Sequence, residues 1–129
     1  MTLTISGTWV KGMGLAEKFL SHAHYVKQFQ QILGFTPFPG TLNLEVSKEK
    51  FEEIKARAEN QYIFGFKENE KEFGGVNCFP CKVNGIQGAV ILPDKSTHPE
   101  NIMEVISSEA LVAKFKLKVG DTVTVEIEE

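Results

Sequence analysis

The sequence predicts a mainly β domain, a barrel of short strands into which two or three short helices are inserted. Two observations predict it. Six or seven short segments alternate apolar and polar residues or are rich in β-branched and aromatic residues. Two other segments, placed between strand-like stretches, carry apolar residues at helical spacing. A length of 129 residues suits one domain, so we expect a single domain over residues 1–129.

The first strand and the first helix are predicted near the N-terminus. Residues 2–10 alternate and are rich in Thr, Ile and Val, and a loop with glycines follows at 11–18. A helix over 22–33, capped by Ser21, is indicated by apolar residues at 3.6-residue spacing and by a glycine after its last turn. These apolar residues are Val26, Phe29, Ile32 and Leu33, and the glycine is Gly34.

A second strand and a second helix follow. In the predicted strand 41–46 the apolar side chains face one side, whereas Thr41 and Asn43 face the other. The helix predicted over 48–58 carries a short apolar stripe. This stripe consists of Phe51, Ile54 and Ala58.

The second half of the chain is predicted to be largely β structure. Strands 61–66 and 72–83 are expected to pair around a polar tip at 67–71. The dipeptide Asn84-Gly85 favours a two-residue hairpin turn before the next strand. The remaining predicted elements are strands 86–92, 102–106 and 121–128 and a helical turn within 109–116.

Composition and charge argue against several classes of function. The formal net charge is −3 and there is no run of lysines, which argues against general nucleic-acid binding. Arg57 is the single arginine, so a forked guanidinium clamp on a bound anion is hardly available. No segment approaches the ~20 apolar residues that span a membrane, and no signal peptide is visible. We therefore expect a cytoplasmic protein.

Two pairs of potential metal ligands have simpler interpretations. Cys78 and Cys81 form a C-x-x-C motif, which occurs in redox sites and zinc sites. They lie in a predicted strand, where positions i and i+3 face opposite sides, so we expect two buried thiols that act as small hydrophobes. His22 and His24 are interpreted as solvated residues at a helix start, because no third ligand type clusters with them.

Two short motifs could hold a phosphorylated ligand and its metal ion. Gly12 and Gly14 follow the first strand, and glycine lets backbone N–H groups approach a phosphate closely, although a flexible turn would use the same residues. Thr41 and Asn43 offer neutral oxygens on one face of a strand. Such a pair suits Mg²⁺, although the polar outer face of an edge strand would look the same.

The loop 93–98 and Glu104 form a third candidate. The loop combines a cation, two hydroxyls and an imidazole, a mixture found both in functional loops and in ordinary surface loops. Glu104 lies within the apolar run 102–106. Its carboxylate is therefore expected to face either solvent or a ligand pocket.

Taken together, these motifs resemble the archaeal-type CTP-dependent riboflavin kinases, which adopt a six-stranded cradle-loop (RIFT-like) barrel. The resemblance covers the chain from about residue 5 to residue 127, and the order and spacing of its blocks make it specific. The blocks are Gly12-Met-Gly14 with Phe19-Leu20, Leu33-Gly34-Phe35 with Pro37, Gly40 to Leu44, Gly75-Val76 with Pro80, Gly88 to Pro93, His98 with Glu104 to Ile106, and Leu111 with Leu117, Gly120 and Asp121.

The resemblance implies an activity and its site residues. The activity is Mg²⁺-dependent transfer of the terminal phosphate of CTP to the ribityl 5′-hydroxyl of riboflavin, which gives FMN and CDP. Thr41 and Asn43 match the magnesium-binding pair, and Ser96 and Glu104 match positions that contact the flavin. We expect Glu104 also to orient the attacking hydroxyl or to accept its proton. The implied nucleotide-binding residues are Gly12, Met13, Gly14, Leu15, Ala16, Glu17, Glu109, Ala110, Leu111 and Val112.

The implied partners are small molecules. We expect a monomer that binds riboflavin or FMN and CTP or CDP, with no nucleic acid and no membrane as a partner. Lys11, Lys18 or Lys95 is expected to add positive charge near the phosphates, which fits the near absence of arginine.

Departures from the family pattern leave other functions open. Ala16 replaces a loop glycine, Ser107-Ser108 replaces an Ala-Pro pair, and Val112 replaces an arginine in the nucleotide-contacting segment. The alternative is therefore a flavin- or nucleotide-binding barrel module with weak or no catalysis. A third interpretation is a DNA-binding transcription factor, because related swapped-hairpin barrels end in similar G-D-x-V-x-V strands, but the net acidity argues against it.

Overall fold

Six antiparallel strands form a closed barrel, as the sequence predicts. The computed structural model describes residues 2–12, 20, 22–94 and 101–129. Its strands are β1 (Thr2–Trp9), β2 (Leu42–Glu45), β3 (Phe66–Glu68), β4 (Lys71–Phe73), β5 (Val76–Val83), β6 (Ile86–Pro93), β7 (Ile102–Ser107) and β8 (Thr122–Glu128). The helices that it describes in full are α1 (Ala23–Leu33), α2 (Lys48–Arg57) and α3 (Leu111–Lys114). The barrel order is β1-β2-β7-β6-β5-β8, and β3 and β4 form a separate two-stranded sheet.

Alternation along the strands divides the buried side chains into two hydrophobic clusters. The barrel interior contains one of them, which includes Leu44 of β2 and Val105 of β7. The outer face of β5, β6 and β7 carries the second cluster, which includes Ile106 and is covered by α1 and by Ile63. These three strands therefore bury side chains on both faces, which explains their near-continuous apolar sequences.

The two cysteines lie on opposite faces of β5, as predicted. Cys78 belongs to the outer cluster and Cys81 to the barrel interior, and both thiols are free. Burial raises the pKa of each thiol to about 12. Within the described ranges, no three His, Cys, Asp or Glu side chains are grouped to hold a metal ion. The prediction of two small buried hydrophobes is confirmed.

Neither thiol is expected to react with Ellman's reagent in the native protein at about pH 8, because the reactive species is the thiolate. Its formation in the folded chain requires a pH near the raised pKa of about 12. Both thiols should react once denaturant is added. Comparable labelling rates with and without denaturant, followed by absorbance, would contradict the assigned burial.

The N-terminal end of α1 differs from the prediction. The cap is His22, whose Nδ1 accepts a hydrogen bond from the His24 N–H at 3.1 Å, while the predicted cap Ser21 lies outside the described residues. His24 is exposed, as expected. The centroid of its ring lies 3.8 Å from the centroid of the Phe66 ring. His22 is only half-buried rather than fully solvated, because the cap bond and neighbouring aromatic rings hold it.

The buried face of α1 is also rotated from the predicted one. Tyr25, Phe29 and Leu33 are buried, whereas Ile32 is 37% exposed. Gly34 caps the C-terminal end with φ of 82°, as predicted. The large phenol ring of Tyr25 takes a core position that sequence reasoning gave to smaller aliphatic residues.

The two predicted hairpin tips have different outcomes. Asn84 and Gly85 have φ of 48° and 81°, as a two-residue type I′ turn requires, so this turn is confirmed. At the other tip, β3 and β4 extend into the predicted polar loop, and Asn69 and Glu70 alone form the turn. The single strand predicted over 72–83 is therefore divided between β4 and β5.

Helices α2 and α3 pack against the barrel interior. Phe51 and Ile54 of α2 and Leu111 of α3 belong to the interior cluster. Ser47 caps α2, and its hydroxyl accepts a hydrogen bond from the Lys50 N–H at 3.2 Å. In the described part of the chain, no helix combines the length and the hydropathy needed to cross a membrane.

Candidate active site

The predicted metal-binding side chains, Thr41 and Asn43, lie together. Thr41 immediately precedes β2 and Asn43 lies within it, so both side chains face the outside of the barrel. Asn43 Nδ2 donates a hydrogen bond to Thr41 Oγ1 at 3.2 Å, and Asn43 is buried. Because this bond uses the amide nitrogen, the oxygens of both side chains can face a cation. Hydroxyl and amide oxygens are donors that Mg²⁺ accepts, so the residues fit the ion.

The turn after β1 approaches this pair closely. The Val10 N–H donates a hydrogen bond to the Asn43 carbonyl at 3.0 Å. A Cβ atom on Gly12 would lie 2.7 Å from Asn43 Cγ and would collide with Asn43 Nδ2. A side chain at this position would therefore displace the Asn43 amide, and Gly12 of the predicted nucleotide loop lies against Asn43. The other predicted residues of this loop, which lie outside the described part of the chain, are Met13, Gly14, Leu15, Ala16 and Glu17.

Glu104 lies directly opposite Asn43. The strand register pairs Asn43 of β2 with Glu104 of β7, and Glu104 in turn with Ile91 of β6. Residues opposite each other in antiparallel strands face the same side, so the carboxylate and the amide share the outer face of the barrel. Glu104 is 2% exposed. Of the two orientations that the sequence allowed, the structure excludes the one toward solvent.

A cavity of about 190 Å³ adjoins Thr41. Its wall is mainly apolar, and the part of the chain described here contributes no lysine or arginine to it. The lining residues are Phe38, Gly40, Thr41, Leu42, Val105, Ser107, Glu109, Ala110, Leu111 and Val112. The structure thus places the second predicted nucleotide segment, 109–112, around the same cavity as Thr41.

Ser107, which sequence reasoning did not select, joins two walls of this cavity. Its hydroxyl donates to the Gln87 carbonyl at 2.8 Å and accepts from the Glu109 N–H at 3.3 Å. Its carbonyl accepts a hydrogen bond from the Phe38 N–H at 2.7 Å. The departure from the family pattern at position 107 was the sequence signal that could have identified Ser107.

Phe38 was also not predicted as a site residue. It is a large apolar residue between two prolines and is 43% exposed.

Asp94 fixes the point at which the chain leaves β6. Its N–H donates to the Gly75 carbonyl at 3.0 Å, and its carboxylate accepts hydrogen bonds from the Asn77 amide at 2.8 Å and from the Tyr62 hydroxyl. The bond to Asp94 raises the pKa of the Tyr62 hydroxyl. Ser96, the second predicted flavin contact, lies outside the described residues.

Sequence comparison shows to which family the chain belongs. Residues 9–127 match the family model of the CTP-dependent riboflavin kinases, which carries the description "Domain of unknown function DUF120". The chain belongs to the CTP-dependent riboflavin kinase family. The predicted resemblance is therefore confirmed over nearly the whole sequence.

Curated riboflavin kinases of archaea are similar to this family member along most of its length. It is 39% identical to the riboflavin kinase of Methanospirillum hungatei, with 98% of this chain and 58% of the relative aligned. Identity to the riboflavin kinase of Archaeoglobus fulgidus is 41%, with 98% and 55% aligned. For that of Methanosarcina acetivorans it is 37%, with 97% and 54% aligned. The chain spans a little over half the length of these three relatives.

Proposed function

We propose that the chain transfers the terminal phosphate of CTP to the ribityl 5′-hydroxyl of riboflavin, giving FMN and CDP, with Mg²⁺ held by Thr41 and Asn43. One observation carries the proposal: the Thr41–Asn43 pair adjoins both the buried carboxylate of Glu104 and the cavity lined by 109–112. The names of the relatives support riboflavin as the acceptor. The name of the family supports CTP as the donor.

The cavity suits the uncharged part of the nucleotide. Its wall includes Leu42, Val105, Leu111 and Val112, which can contact a base. Its volume of about 190 Å³ is small for a complete binding site, so we assign it to only one part of the nucleotide. Thr41 at the edge of the cavity and Gly12 beyond it then lie on the side where the phosphates would extend. Backbone N–H groups beside a glycine can approach phosphate oxygens without a side chain between them.

Phosphate transfer requires positioning and charge neutralisation more than covalent chemistry. Mg²⁺, when bound, supplies the neutralisation, and Thr41 Oγ1 and Asn43 Oδ1 are the atoms that would hold it. The ribityl 5′-oxygen attacks the terminal phosphorus, the bond from that phosphorus to its bridging oxygen breaks, and CDP leaves. Glu104 orients the hydroxyl and accepts its proton.

The test is a turnover assay on the full chain with riboflavin, Mg²⁺ and each of CTP, ATP, GTP and UTP, with FMN separated by chromatography. FMN formation is expected with CTP, and chelation of Mg²⁺ should stop it. Riboflavin binding without FMN from any nucleotide would overturn the proposal. It would favour the binding-module alternative, which Val112 in the cavity wall motivates.

Gly12→Ala is expected to lower kcat/KM for CTP by about 10²-fold, because its Cβ would push the Asn43 amide out of position. The matched control is Gly34→Ala. That change strains a positive φ, but its Cβ meets no atom within 4 Å. Both variants should lose some thermal stability, measured by circular dichroism, whereas only Gly12→Ala should lose activity. Equal activity in the two variants would contradict the role of Gly12.

A further inference from the structure

The cavity wall formed by residues 109–112 depends on contacts made outside α3. This helix has four residues, too few to be stable in isolation. Its cap residue, Ala110, makes no side-chain hydrogen bond to it, and Leu111 is its buried residue. The ion pair of Lys114 with Glu109, at 3.1 Å, is exposed and contributes little. The wall therefore needs a further attachment to the barrel.

The hydroxyl of Ser107 supplies this attachment. Ser107 is the last residue of β7 and is 2% exposed. Its hydroxyl donates a hydrogen bond to the Gln87 carbonyl of β6 at 2.8 Å and accepts one from the Glu109 N–H at 3.3 Å. Because a hydroxyl has one hydrogen, the bond to Gln87 orients it and leaves a lone pair for Glu109. The start of the wall is thus tied to the sheet through one buried side chain.

A second wall of the cavity is attached to the backbone of the same residue. The Phe38 N–H donates a hydrogen bond to the Ser107 carbonyl at 2.7 Å, and both Phe38 and the segment 109–112 line the cavity. A change of the side chain at position 107 leaves this backbone carbonyl in place. The attachment of 109–112 can therefore be removed without removing that of Phe38.

We infer that Ser107 is a positioning residue for the nucleotide, since its hydroxyl holds the segment 109–112 in the conformation that binds CTP. This inference rests on the proposed function, which places the uncharged part of the nucleotide in the cavity. A wall that is ordered before the nucleotide arrives loses less conformational entropy on binding. Loss of the hydroxyl should therefore weaken the binding of CTP and CDP rather than slow the transfer of the phosphate.

The test is Ser107→Ala in the full chain, with CDP and riboflavin binding measured by isothermal titration calorimetry in the presence of Mg²⁺. The dissociation constant of CDP is expected to rise by roughly 3- to 10-fold, the effect of one hydrogen bond. The dissociation constant of riboflavin, and kcat at saturating CTP, should stay within about twofold of the wild type. In the protein without ligands, the amides of 109–112 should exchange faster with deuterium, followed by mass spectrometry.

The matched control is Ser47→Ala. The Ser47 hydroxyl also accepts a backbone N–H at the start of a helix, that of Lys50 at 3.2 Å, but Ser47 does not line the cavity. Thermal stability should fall in both variants, whereas CDP affinity and exchange at 109–112 should change only in Ser107→Ala. If Ser107→Ala does not fold, Ser107→Cys replaces it. Its thiol is a weak donor and a weak acceptor, so CDP affinity and exchange should shift in the same direction.

Unchanged CDP affinity or unchanged exchange at 109–112 in the folded Ser107 variant would overturn the inference. Equal losses of CDP and riboflavin affinity would also overturn it, because they would indicate a general structural role. CDP binding and FMN formation by the wild type are measured first. If the wild type shows neither, the proposed function fails and the inference fails with it. If the wild type shows both and Ser107→Ala matches it, the inference alone fails.

Discussion

Thr41→Ala combined with Asn43→Ala is expected to abolish phosphate transfer while the chain stays folded. The double change removes both neutral oxygens of the proposed cation site. Charge stabilisation by a bound metal is worth several kcal/mol in the transition state, which corresponds to a loss of roughly 10³-fold or more in rate. Stability should fall little, because the two side chains bond to each other and neither is left as an unpaired partner.

The matched control for this double change is Ser6→Ala with Thr124→Ala. These two hydroxyls form a hydrogen bond of 3.0 Å between β1 and β8, exposed and outside the site. Its loss should leave FMN formation unchanged. Circular dichroism and thermal melting establish folding, and chromatography measures the product. Wild-type turnover in the Thr41 and Asn43 double variant would show that the metal assignment is wrong.

Glu104→Gln is expected to reduce kcat by roughly 10²- to 10⁴-fold. A loss of this size is typical of a residue that orients or deprotonates an attacking group. Glutamine has nearly the same shape and can still form hydrogen bonds in the buried site, so folding should be preserved. Single-turnover FMN formation at saturating Mg²⁺, CTP and riboflavin measures the chemical step and separates it from weakened substrate binding. A kcat within about twofold of the wild type would remove Glu104 from the mechanism.

The fold could be predicted where a local pattern is decisive. Asn84-Gly85 dictates its turn through two positive φ values, and alternation along β8 specifies which side chains enter the barrel. The prediction was wrong where packing between distant segments decides. Tyr25 is buried because the outer face of the barrel accepts its ring, and His22 caps α1 through a ring nitrogen that propensities rarely favour.

The candidate site was predictable in residue types but not in arrangement. Thr41 and Asn43 share a strand face by simple alternation, so their proximity follows from sequence spacing. The proximity of Asn43 to Glu104 depends on the pairing of β2 with β7, which no local sequence pattern encodes. Ser107 was missed for the same reason, since its partners Gln87 and Phe38 come from different parts of the chain.

The strands with two packed faces have a consequence for how the site works. Glu104 stands on β7 between Met103 and Val105, which fill the interior, and beside Ile106, which fills the outer cluster. Because β7 is packed on both faces, its backbone has little freedom to rearrange. The reorganisation energy of the Glu104 carboxylate on substrate binding should therefore be small. Backbone amides of β5 to β7 should therefore exchange slowly with deuterium whether or not riboflavin and nucleotide are present. Ligand-dependent changes in exchange should fall elsewhere in the chain.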